Sequence, residues 1–128
     1  MPVSDSVLIS EVGPRDGLQS IRSIMPLDAK KAWVAAEAAA GVREIEVGSF
    51  VPAKLLPQLA DTAELVAHAR SIPGLNVAVL VPNLKGMQAA MAVGAREVAV
   101  FASASETFSQ RNINCSIAHS IERFRPVL

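Results

Sequence analysis

Arg15 and Asp16 stand side by side in EVGPRDGLQ (11–19), directly after a short apolar run. An aspartate in such a turn is a hard oxygen ligand for a divalent cation, one member of a larger set of carboxylate, imidazole or amide donors. The neighbouring guanidinium suits an oxyanion, or a carboxylate gripped through two parallel hydrogen bonds. The alternative on spacing alone is a surface turn closed by Asp-Gly with both charges solvated. Glu46 is the second anomaly. It lies between Ile45 and Val47 in an otherwise apolar stretch, REIEVGSF (43–50). A carboxylate there points into the fold's interior or under its helices, and burial without a partner costs several kcal/mol. It therefore needs Arg15, a metal-bound water or a lysine, or else belongs to a structural ion pair. Glu11 has a weaker case, with structural pairing the better reading.

The elements that must position these groups alternate along the chain. Strand-like runs occupy 7–12, 43–50, 76–81 and 96–101. Helical patterns occupy 28–41, 61–70 and 83–94, and a last helix starts after Ser116. In the first helix Ala29, Ala32, Trp33, Ala36 and Ala40 fall on one face. Asp61 with Glu64 three residues on forms a capping-box pattern. Asn83 is a cap for the third helix, and Gly41 and Gly94 suit helix ends. Residues 102–115 read as a loop. Four strand–helix units in this order predict an α/β fold with a parallel sheet, either a small doubly wound sheet or part of a (β/α)8 barrel. The segments AGVREIEVGSF (40–50) and VGAREVAVFAS (93–103) repeat weakly and favour the barrel. The last helix puts Ile117, Ile121, Phe124 and Leu128 on one face, and Pro126 is expected to kink it. A barrel typically needs about 250 residues, so residues 1–128 are expected to form one domain, the first half of a barrel.

In such folds ligands gather beyond the C-terminal ends of the strands. Arg15 and Asp16, Glu46 and Ser49, Asn83, and the polar stretch 103–114 all fall there. Other signals are weaker. His68 and His119 lie mid-helix without a second ligand at i+4, and no His-x-His, HExxH or CxxC is present. Cys115 precedes a helix start, a position that can activate a thiol; an inert packed thiol is the competing reading. PNLKG can seat a phosphate at a helix start with Lys85 nearby, a weak signal.

Composition narrows the classes. Twelve basic and twelve acidic residues balance, and with no Tyr and one Trp there is neither a basic field nor a stacking platform for nucleic acid. No stretch approaches a membrane span, and the start MPVSDSVLIS lacks the basic and apolar regions of a signal peptide. A single cysteine fits a reducing compartment. The expectation is a cytoplasmic protein.

EVGPRDGLQ resembles the strand-one signature of 3-hydroxy-3-methylglutaryl-CoA lyases, within the metal-dependent barrel superfamily that also holds isopropylmalate and homocitrate synthases. The synthases usually carry Thr-Leu-Arg-Asp-Gly, so Gly-Pro favours the lyase branch. EIEVGSFVPAKLLPQLAD and VLVPNLKGMQAAMAVGAREVAVFASASETFSQRNINCSI agree in order, and the resemblance runs from Val7 onward. It implies a (β/α)8 barrel whose first four units these are. It further implies metal-assisted cleavage of a 3-hydroxyacyl-CoA to acetyl-CoA and acetoacetate, with Mg2+ or Mn2+ as cofactor. Asp16 matches the family's metal-ligand aspartate, and Arg15 the arginine that stabilises the enolate. Glu46 matches an active-site glutamate, and Gln19, Ser49, Asn83 and Asn112 match polar positions around the substrate. Acyl-CoA is the implied partner, with a homodimer expected of the full-length form. EVGSF departs from the Thr-Ser or Thr-Thr common before the serine–phenylalanine pair, a shift expected to alter acyl fit. The family's His-x-His pair, its metal-shell asparagine and its glycine-flanked acid cysteine are absent, so the isolated chain is expected to be inactive. Two other readings stay beside the lyase: a non-enzymatic half-barrel that dimerises or binds acyl-CoA, and a related aldolase or synthase.

Overall fold

The computed structural model describes residues 6–128; residues 1–5, part of the stretch read for a targeting signal, lie outside the described residues. Four parallel strands, β1 (Ser10–Glu11), β2 (Glu44–Ser49), β3 (Asn76–Leu80) and β4 (Glu97–Ala99), form one sheet in the order β1-β2-β3-β4. Helix α1 (Leu27–Ala39) follows β1, α2 (Thr62–Arg70) follows β2, and α3 (Leu84–Ala92) follows β3. Helices α4 (Glu106–Ile113) and α5 (Ile117–Phe124) follow β4. Sequential order is barrel order; a doubly wound sheet reverses direction at a switch point, and none occurs among the described residues. No helix among the described residues is long and apolar enough to cross a membrane.

One face of the sheet builds the core. Ile45, Val47, Val77 and Val79 pack against Val34 of α1, Leu65, Val66 and Ala69 of α2, and Ala90 of α3. Phe124 and Val127 close it, with Phe101 edge-on to Phe124 at a centroid separation of 5.6 Å. The opposite face carries the polar residues. Directly paired residues in neighbouring strands share a face. Glu46 pairs with Ala78, while Gly48 pairs with Val79 and Ser49 with Leu80. Val47 is thus an extra residue, a β-bulge. Without it Ser49 would lie on the core face beside Val47. With it, Ser49 turns to the face of Glu46, and Gly48 turns toward α2.

Gly48 tolerates that position because it has no side chain. A Cβ there would collide with Thr62 Oγ1 and lie 2.7 Å from Thr62 Cγ2. The glycine of EVGSF thus packs against Thr62 of α2. Thr62 is buried and stitches the strand end to the helix. Its hydroxyl accepts from Ser49 N at 3.2 Å and has the carbonyls of Leu59 (2.7 Å) and Ser49 (3.1 Å) in reach of its single proton.

Several sequence expectations are revised. The first strand is two residues long, because it is paired on one side only and Val7, Leu8 and Ile9 before it are exposed. On α1 the alanine face at 29, 32, 36 and 40 is exposed; Lys30 and Val34 are buried. Asp61 makes no capping hydrogen bond, since its carboxylate pairs with Lys30. Residues 106–113, expected as loop, are helical, with Ser105 capping Phe108 N and Asn114 ending the helix at φ 53°. On α5 the buried positions are Ser120 and Phe124, followed by Val127. Ile121 is half-exposed and Leu128 fully so, because the chain tightens into a 3-10 turn at Pro126. Asn83, Ser116, Gly41 and Gly94 behave as expected: both side chains cap their helices, and both glycines have positive φ.

Candidate active site at the strand ends

Residues 13–17 form one wide helical turn rather than an open loop. Asp16 N and Arg15 N both donate to Val12 O, at 2.7 and 3.1 Å, and Pro14 is buried. Single π-turns of this kind recur at functional sites. Gly13 is needed there: a Cβ would lie 2.8 Å from the Trp33 ring and 2.9 Å from the Glu11 carboxylate. Gly17 is not. Nothing lies within 4 Å of a Cβ at that position, and its φ is ordinary. Glu11, expected to enter an ion pair, instead accepts from Gly13 N at 2.6 Å and so braces the start of the turn.

The turn delivers Arg15 to Glu46. Arg15 Nε donates to Glu46 Oε1 at 2.5 Å, and the two side chains are 17% and 12% exposed. Arg15 Nη1 donates to Asp16 Oδ1 at 3.0 Å, and Asp16 is 60% exposed. Two residues from one strand end and one from the next strand thus meet on the polar face of the sheet. Arg15 is held on two sides, and its Nη2 has no hydrogen-bond partner among the described residues. The trio carries one more negative than positive charge, which attracts a cation.

The other site residues read from sequence are more dispersed. Ser49 is buried on the same sheet face as Glu46, and its Oγ accepts from Val51 N at 3.2 Å. Gln19 follows the turn, half-buried. Asn83 spends its side-chain oxygen on Gly86 N, 2.9 Å away. Asn112 is exposed on α4. Among the described residues no hydrogen bond links Gln19, Asn83 or Asn112 to the Arg15–Glu46 pair. Cys115 is buried and free, a packed thiol. His119 is exposed, while His68 is half-buried with Nε2 unpartnered. Sequence reasoning missed Lys30, 1% exposed, which pairs with Asp61 at 2.5 Å; a lysine in an alanine-rich helix gives no signal of burial.

A model of the HMGL-like family matches residues 6–128. The chain belongs to the HMGL-like family. It is 54% identical to the 3-hydroxy-3-isohexenylglutaryl-CoA/hydroxymethylglutaryl-CoA lyase of Pseudomonas aeruginosa, over all of this chain and 43% of that protein. To the mitochondrial hydroxymethylglutaryl-CoA lyase of Bos taurus it is 49% identical, over 95% of this chain and 38% of that one. Among solved structures, the Pseudomonas aeruginosa hydroxymethylglutaryl-CoA lyase superposes with a TM-score of 0.86 at 55% identity, over 94% of this chain and 40% of that one. An HMG-CoA lyase of Acinetobacter baumannii in complex with coenzyme A and 3-methylmalate gives 0.86 at 33% identity, over 99% and 42%. The chain thus spans about two fifths of the length of these proteins.

Asp16, the exposed member of the trio with Arg15 and Glu46, offers an oxygen donor that fits one position in a hard-cation shell. No group of three or more His, Cys, Asp or Glu able to hold a metal occurs among the described residues. Asp16 fits as one ligand of several.

Proposed function

We propose that residues 1–128 furnish the first four units of a barrel lyase that cleaves a 3-hydroxy-3-alkylglutaryl-CoA, with hydroxymethylglutaryl-CoA as the substrate, to acetyl-CoA and acetoacetate. The observation that carries this reading is Arg15, doubly held by Glu46 and Asp16 at the C-terminal end of β1. In this reaction the 3-hydroxyl loses its proton and the C2–C3 bond breaks. Its electrons pass to the thioester as an enolate, which is then protonated at C2; C3 becomes the ketone of acetoacetate. The negative charge appears on the thioester oxygen. A fixed, partly desolvated guanidinium meets that charge without reorganising. Glu46 fixes the plane of the guanidinium through Nε, leaving Nη2 to donate. Arg15 and Glu46 are the catalytic pair in this reading, and Gln19, Ser49, Asn83 and Asn112 line the substrate. Asp16 would supply one ligand of several to Mg2+ or Mn2+, and such a cation, when bound, would act as a Lewis acid toward the substrate's hydroxyl. Acyl-CoA as ligand is supported by the coenzyme A complex of the Acinetobacter relative. A cytoplasmic setting and a homodimeric full-length form complete the reading; relatives include enzymes named cytoplasmic and mitochondrial.

The test is a chimera in which residues 1–128 replace the matching 43% of the Pseudomonas aeruginosa relative. Supplied with Mg2+ and hydroxymethylglutaryl-CoA, it is expected to release acetoacetate and acetyl-CoA in equal amounts. A folded chimera that releases neither contradicts the proposal.

A further inference from the structure

A second polar cluster joins α1 to the approach to α2, and the proposed chemistry does not use it. Lys30, in the first turn of α1, is 1% exposed. Its ammonium donates to Asp61 Oδ1 at 2.5 Å and to the backbone oxygen of Gln58 at 2.6 Å. Lysine is almost never fully buried unless paired, so this contact fixes the 3-10 turn Pro57–Leu59 that carries Gln58. Gln58 reaches on from there. Its Nε2 donates to Ile21 O at 2.5 Å, across to the connection 20–26 between the Arg15 turn and α1. Residues 22–25 of that connection make no hydrogen bond among the described residues, and Ile21 and Ile24 are 43% and 60% exposed. Gln58 Oε1 is buried without a partner, so the Ile21 bond alone orients the amide.

We propose that Lys30 and Gln58 are positioning residues, a latch that holds the connection 20–26 against the approach to α2. The connection that continues from Arg15, Asp16 and Gln19 is thereby a fixed wall of the site rather than a hinged lid. The latch follows from the contacts alone; that the wall borders an acyl-CoA site rests on the lyase reading above.

The test is limited trypsin digestion of the 128-residue chain, following the fragment that ends at Arg22, an exposed residue in the latched connection. Gln58→Leu breaks the tie to Ile21 and also removes the unpartnered oxygen, so the fold is expected to hold. Cleavage after Arg22 is expected to rise about fivefold, the scale of one net hydrogen bond, with the thermal midpoint shifted by only a few degrees. Lys30→Met is expected to raise the same cleavage by a smaller factor. Unchanged cleavage after Arg22, or a uniform rise that includes Arg70 and Lys85, overturns the latch. In the chimera, Gln58→Leu is expected to raise KM with kcat held; a fall in kcat at constant KM overturns the wall. A chimera inactive before substitution counts against the lyase reading, while the digestion still decides the latch.

Discussion

Gly48→Ala places one methyl group where the strand bulge leaves none. The added carbon would collide with Thr62 Oγ1 and lie 2.7 and 3.0 Å from Thr62 Cγ2 and Cβ. Thr62 cannot simply rotate away, because it is buried and its hydroxyl holds Ser49 N and the carbonyl of Leu59. Overpacking of this kind costs about 1–3 kcal/mol. Loss of a Thr62 hydrogen bond adds about 1 kcal/mol. The expected destabilisation is therefore about 2–4 kcal/mol. For 128 residues the unfolding entropy is about 270 cal/mol/K, so the midpoint should fall by about 7–15 °C. Urea and thermal unfolding of Gly48→Ala, Thr62→Ala and the double variant complete a cycle. Thr62→Ala removes Oγ1 and Cγ2, the clashing atoms, at the cost of its own hydrogen bonds. The double variant should be more stable than the sum of the two singles predicts, by at least about 1 kcal/mol. A Gly48→Ala loss below about 0.5 kcal/mol, or additivity of the two changes, would refute the argument that the bulge depends on a bare Cα facing Thr62.

Three further outcomes follow from named contacts. Asp61→Ala leaves the Lys30 ammonium buried with one carbonyl partner and should cost about 3 kcal/mol, whereas Lys30→Met, which keeps the volume and frees a quarter-exposed carboxylate, should cost about 1 kcal/mol or less in urea unfolding; equal costs would contradict the burial of the charge. Asn83→Ala should destabilise by about 1 kcal/mol through the lost cap on Gly86 N, and Asn83→Asp should restore stability to within about 0.5 kcal/mol, so any activity still missing in the Asp variant of the chimera belongs to the substrate and not to the fold. Gly13→Ala drives a methyl group into the ring of Trp33, the only tryptophan, so both the emission of that residue and the unfolding midpoint should shift; an unchanged spectrum would show that the turn is looser than described.

Legibility in the sequence tracked how local each cause was. Strands β2 and β3 and helices α2 and α3 announce themselves through apolar runs, Asn83 and Gly94, signals that act within a few residues. The face of α1 did not, because alanine counts as apolar in a pattern yet buries little, while Lys30 is held inside by a carboxylate 31 residues away. The same distant pairing took Asp61 from the capping role its neighbours predict. Helix α4 was hidden by its polarity, although Ser105 and Asn114 mark its two ends. At the site, the adjacency of Arg15 and Asp16 and the demand of Glu46 for a partner were both readable. What no local rule supplies is the bulge at Val47, which decides that Ser49 shares the face of Glu46.

Arg15→Lys in the chimera tests the central claim most directly. The ammonium keeps the positive charge but loses the fork that bonds Glu46 and Asp16 while donating a further N–H. Release of acetoacetate should fall at least about a hundredfold, the scale of one oxyanion donor, with the thermal midpoint moving by only a few degrees. Turnover retained within about threefold, or lost together with a collapsed midpoint, would contradict the claim that this guanidinium meets the enolate.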